Sequence, residues 1–125
     1  MPTLGKEVIA RYGNYYHADD DYFTHCLIMK NGECWLLGQG LDPVYLRIFK
    51  ASAAKFKQLK AALSSIPAAW PKSSYDGYDF ITDAQGPNAS EIAVYGKKPG
   101  KITGYFVPPA GSQVETLVKA IARID

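Results

Sequence analysis

Two histidines and two cysteines are all the imidazole and thiol this chain of 125 residues carries. A hydrolase needs a nucleophile within reach of its base, and no Gly-x-Ser-x-Gly elbow stands in the sequence to supply one. The phosphate-cradling glycine loop is missing too, since Gly38-Gln39-Gly40 is too short to make one. Net charge is only +2, and there is no arginine-rich run or aromatic–basic RNA signature, so nucleic acid is not an expected partner. No apolar run approaches the roughly 18 residues that a membrane-spanning helix requires. With no signal-peptide pattern either, the expectation is a soluble, cytoplasmic chain. One group resembles a metal site: His17, Asp19, Asp20, Asp21 and His25. It lacks the later glutamate of a calcium loop, and adjacent acids of this kind are usually solvated or capping groups. The sequence therefore predicts no catalytic residue, no metal, no cofactor and no enzymatic activity.

What is present fits one globular domain over 1–125, with 47% hydrophobic and 21% charged residues. Aromatics reach 13%, including nine tyrosines and two tryptophans, a bias toward strands and binding surfaces. Around Asn31-Gly32 two apolar runs face each other over 22–38. Asn-Gly favours a two-residue type I′ turn, which would place Met29 opposite Cys34 and Ile28 opposite Trp35. Leu27, Met29, Cys34 and Leu36 would then share one face, and Cys26, Ile28, Trp35 and Leu37 the other. Both faces are apolar, so the hairpin belongs in the middle of a sheet covered above and below. The same register puts Cys26 and Cys34 on opposite faces, which predicts two buried thiols rather than a disulfide and points to a reducing compartment. The sequon at Asn88 carries no weight in such a chain.

Along the rest of the chain, 4–16 reads as a short helix with Leu4, Val8, Ile9 and Tyr12 near one face. A short strand follows at 44–50. The clearest helix runs over 52–66 with the stripe Phe56, Leu59, Leu63 and Ile66, ended by Pro67. Lys55, Lys57 and Lys60 fall on its outer side, which is ordinarily a solvated face and otherwise a partner contact. The loop 67–78 carries Trp70, Tyr75 and Tyr78, either tucked over the core edge or used for recognition. Strands are predicted at 79–84, 90–97 and 101–107. A final helix opens at Ser112, whose spacing to Glu115 is that of a capping box, with Val114, Leu117, Val118 and Ile121 as its buried stripe. These elements make an α+β fold, an α/β/α sandwich. Its central antiparallel sheet has about six strands, with the N- and C-terminal helices on one face and the middle helix on the other.

Three local motifs carry a family resemblance. Lys30-Asn31-Gly32-Glu33-Cys34-Trp35, Ala93-Val94-Tyr95-Gly96-Lys97-Lys98, and Phe106-Val107-Pro108-Pro109-Ala110-Gly111-Ser112 with the helix after it resemble the corresponding segments of the profilins. The resemblance spans nearly the whole chain. It implies binding to the barbed-end face of monomeric actin and control of filament assembly, by a monomer. Carried over by position, the contact set is Lys57, Lys60, Tyr95, Lys97, Lys98, Gly111, Gln113 and Lys119. Phosphoinositides are a further partner that the resemblance implies through basic residues, although a net charge of +2 gives it little support. Tyr12 and Trp35 match the proline-rich-peptide platform, whose other half is lost because the last helix has no aromatic; proline-rich binding is expected to be weak or absent. The family also has a strand for which Pro99-Gly100-Lys101 leaves no room. Either that strand is missing here, or 90–98 is the penultimate strand and Tyr95, Lys97 and Lys98 are not contacts. The competing class is a small adaptor or inhibitor domain, of longin, roadblock or immunity type, that binds another protein.

Overall fold

The computed structural model describes residues 7–18, 21–38, 45–72, 92–98 and 101–123. They form strands β1 (Val8–Ala18), β2 (Asp21–Met29), β3 (Glu33–Gly38) and β4 (Tyr45–Lys50), then helix α1 (Ala53–Leu63). Strands β5 (Ile92–Lys98) and β6 (Lys101–Phe106) and helix α2 (Gln113–Ala122) complete the order. The sheet runs β4-β3-β2-β1-β5-β6, and every neighbouring pair is antiparallel.

The sheet thus has the expected six strands, but not the expected members. The first is β1, where a helix over 4–16 was predicted; residues 1–6 lie outside the described set, as does the strand predicted at 79–84. The segment is rich in β-branched and aromatic residues, and two register shifts, between Val8 and Ala10 and between Gly13 and Tyr16, break its alternation. A bulged strand loses its period of two, so its apolar residues fall by chance near helical spacing. β1 is central, bonded to β2 on one side and β5 on the other.

The hairpin differs from its predicted register by one residue. Ile28 pairs with Cys34, Leu27 with Trp35 and Cys26 with Leu36. The connection is three residues, Lys30–Gly32, closed by Gly32 N–H donating to Met29 O at 3.0 Å. Only its last residue needs the left-handed region: Gly32 has φ 90°, and among the described residues the one non-glycine with positive φ is Arg123. That is a turn followed by a left-handed glycine rather than the two-residue turn, in which Asn31 too would be left-handed. Asn31 instead accepts from Glu33 N–H at 3.0 Å and donates Nδ2–H to Glu33 Oε1 at 2.9 Å. A side chain that caps its own turn stabilises this longer loop. Because side chains alternate, the slip of one moves every β3 residue to the other face.

Both faces of the sheet are nonetheless apolar, as read. One core cluster joins Cys26, Ile28, Cys34, Leu36, Val94 and Phe106 to Leu59 and Leu63 of α1 and to Val114, Leu117, Val118 and Ile121 of α2. The other holds Val8, Leu27, Met29 and Ala93, with Trp35 and Tyr105 packed against it. Arg11 is buried on that second face, set in register between Leu27 and Ala93. The two described helices contact each other and share the first cluster, so they lie together on one face. The expected N-terminal helix is not part of that layer, because among the described residues its segment is strand β1.

Local signals for both helices were sound. Ser52 Oγ accepts from Lys55 N–H, and α1 buries Leu59 and Leu63 while Phe56 and Ile66 pack at the margin. It stops at Leu63, three residues before the predicted end, capped by Ser64. Ser112 Oγ accepts from Glu115 N–H at 3.2 Å, but Glu115 reaches back to Gly111 N–H at 3.0 Å rather than to Ser112. Ser112 N–H is already committed to Pro109 O at 3.1 Å.

Candidate functional site

Five of the eight predicted contact residues lie on the two adjoining helices or just before the second of them. Leu59 and Leu63 face inward on α1, which leaves Lys55, Lys57 and Lys60 exposed. No acid stands in the first turn of that helix to offset them. Lys60 Nζ lies 5.5 Å from the Phe56 ring centroid, so its stem covers an aromatic while its charge stays in water. On the neighbouring α2, Gln113 and Lys119 are exposed, and Gly111 is exposed just before it with φ 81°. Lys57, Lys60, Gly111, Gln113 and Lys119 therefore belong to one layer.

Tyr95 does not join them. It is 7% exposed and packs in the core under the helices, and burial pushes its phenol above the ordinary tyrosine range. An aromatic anchor at the surface is thus not available from Tyr95. Lys97 and Lys98 sit at the end of β5, paired with Ile102 and Lys101. Trp70, which the sequence left undecided, tucks over the core edge. Half-buried, it lines a groove of about 240 Å³ with Ala62, Ser65, Ile66, Pro67, Gln113 and Val114. Its segment is held beside the end of β6: Lys72 makes an antiparallel bridge with Phe106, Val107 N–H donates to Pro71 O at 2.8 Å, and Lys72 Nζ sits 4.0 Å from the Phe106 ring centroid. A Cβ on Gly104 would come within 2.6 Å of that Nζ, the movable end of a long side chain, and 3.2 Å from the Phe106 ring. Tyr75 and Tyr78 lie outside the described residues.

Tyr12 and Trp35 are not brought together. Tyr12 packs against the helix-side cluster and Trp35 against the opposite one. Trp35 is therefore neither beneath the helices nor part of one platform with Tyr12. Its Nε1–H donates to Glu33 Oε1 at 3.4 Å, beside a pocket of about 270 Å³ lined by Glu7, Met29, Lys30, Asn31, Glu33 and Trp35. The Asn31 and Trp35 hydrogen bonds hold the Glu33 carboxyl below its ordinary range. Across the register from Trp35, Ile48 is 44% exposed.

Of the acidic group, Asp19 and Asp20 lie outside the described residues; His17, Asp21 and His25 are placed on β1 and β2. Among the described residues no three metal-ligating side chains cluster, and no helix is long and apolar enough to cross a membrane. Compared with family models, curated proteins and solved structures, the chain matches none.

Proposed function

We propose that this chain is a non-catalytic protein-binding domain whose partner is monomeric actin, and that it regulates filament assembly in the cytoplasm as a monomer. The observation that carries the reading is the helical layer: exposed Lys57, Lys60, Gln113 and Lys119 on two adjoining helices beside a groove walled by Trp70. Actin is acidic, and scattered lysines around a half-buried tryptophan suit a reversible interface, with the charges steering the encounter and the indole anchoring it. Phosphoinositide headgroups would compete for the same lysines. Proline-rich peptides would not bind, since Tyr12 and Trp35 serve different faces. The second reading, an adaptor or inhibitor domain for another protein, draws on β1, which occupies a sheet centre where a profilin-like chain calls for a helix.

The test is polymerisation of fluorescently labelled actin at rising concentrations of this protein. The proposal expects a longer nucleation lag and a larger monomer pool. Lys57→Glu with Lys60→Glu should weaken the effect about tenfold, equivalent to about 1.4 kcal/mol, and Trp70→Ala at least as much. No change in lag or pool at tens of micromolar protein sinks the actin reading. Inhibition undiminished in both variants places the contact elsewhere.

A further inference from the structure

Cys26 on β2 and Cys34 on β3 are both fully buried, and their Sγ atoms are 3.4 Å apart. The observed register explains the approach. Cys26 pairs with Leu36 and Cys34 with Ile28, so the two cysteines are diagonal neighbours on the helix-covered face. In the register that Asn-Gly alone suggests, they would point to opposite sides of the sheet. A disulfide bond is about 2.05 Å long, so the sulfurs need to close by only about 1.4 Å from their present separation. Closing that gap requires rotation about the two Cα–Cβ bonds together with a relative slide of β2 and β3, since diagonal neighbours sit wider apart than a relaxed disulfide spans.

We infer that Cys26 and Cys34 form a two-electron redox site, a dithiol that a low-molecular-weight disulfide of the glutathione class converts to an intramolecular disulfide. Access runs through the sheet edge. Cys34 is paired with Phe49 of edge strand β4, and Phe49 packs against the same core, so lifting β4 uncovers Cys34 first. The Cys34 thiolate attacks one sulfur of the reagent and expels one thiolate, leaving a mixed disulfide on Cys34. The Cys26 thiolate then attacks Cys34 Sγ and expels the second. The two protein thiol protons end on the two released thiolates. The dithiol loses two electrons and the small disulfide gains them. The product ties β2 to β3 and locks the register that seats Trp35 on the opposite face.

The experiment takes the folded full chain through glutathione buffers of increasing oxidised-to-reduced ratio. Samples are acid-quenched, alkylated in denaturant and weighed intact. The expected product is a monomer lighter by two hydrogens and free of alkyl groups, rising along one smooth titration. Cys26→Ser should stop at a single glutathione adduct on Cys34, and Phe49→Ala should speed bond formation several-fold. Full alkylation of the folded wild-type chain at every ratio, with the disulfide forming only in urea, overturns the inference. So does an intermolecular dimer as the main oxidised product.

Discussion

Replacing Gly32 by alanine tests the hairpin on which the rest of the sheet is aligned. Gly32 has φ 90°, where an L side chain is strained by about 1–2 kcal/mol. Space is not the problem: the added Cβ would meet the Phe56 ring at 3.6 Å, an ordinary contact. Alanine also restricts the unfolded chain, which returns about 0.4–1 kcal/mol. Strain wins, and the net loss is about 1 kcal/mol. Unfolding entropy near 2.1 cal/mol/K per residue gives about 0.26 kcal/mol/K for 125 residues, so Tm should fall by about 4 °C. Calorimetry with urea unfolding at 25 °C measures it. Asn31→Gly completes the test. In a two-residue turn both central residues are left-handed, so glycine at 31 would be tolerated or helpful. In the three-residue turn the change deletes two hydrogen bonds to Glu33 and should cost about 1 kcal/mol. Unchanged stability in Gly32→Ala would refute the left-handed glycine that either turn requires, and a gain in Asn31→Gly would refute the observed register.

Leu59→Ala removes a fully buried side chain from the layer joining α1 to the sheet and should cost about 3 kcal/mol, read as a lower urea midpoint at unchanged slope; a loss under 1 kcal/mol would mean that α1 is not anchored there. Ser112→Ala removes the cap of α2 and should cost about 1 kcal/mol, with Ser112→Asp largely restoring it. The Glu33 carboxyl titrates below its ordinary value in the folded chain, so its contribution is complete above the unfolded pKa and fades as pH falls through the folded one. Glu33→Gln should therefore flatten the acid side of the stability-versus-pH curve, and a variant curve parallel to the wild type below pH 5 would contradict that.

How much of this was readable in the chain varies by element. The stripes of α1 and α2 and the cap Ser112 were legible, because helical spacing and capping chemistry are local, whereas Ser52, read as the first residue of its helix, is the cap before it. So was the double-sided hairpin, since its apolar runs need no partner to be seen. β1 was hidden by its two bulges, which erase the alternation that marks a strand, and its central position is set by β2 and β5 rather than by its own propensity. The hairpin register turned on one residue of loop length, which Asn-Gly leaves undetermined until the Asn31 side chain commits to Glu33. That residue decided whether the two cysteines met. In the candidate site, the lysines of α1 were legible as an outer face, whereas the burial of Tyr95 was not. It depends on helices that arrive from either side of it in the sequence.

The most direct measurement is amide chemical-shift mapping of isotopically labelled protein against actin held in monomeric form. Perturbations are expected to cluster around Lys57, Lys60, Trp70, Gln113 and Lys119 and to saturate with added actin. No perturbation, or shifts confined to Trp35 and Ile48 on the opposite face, would contradict it.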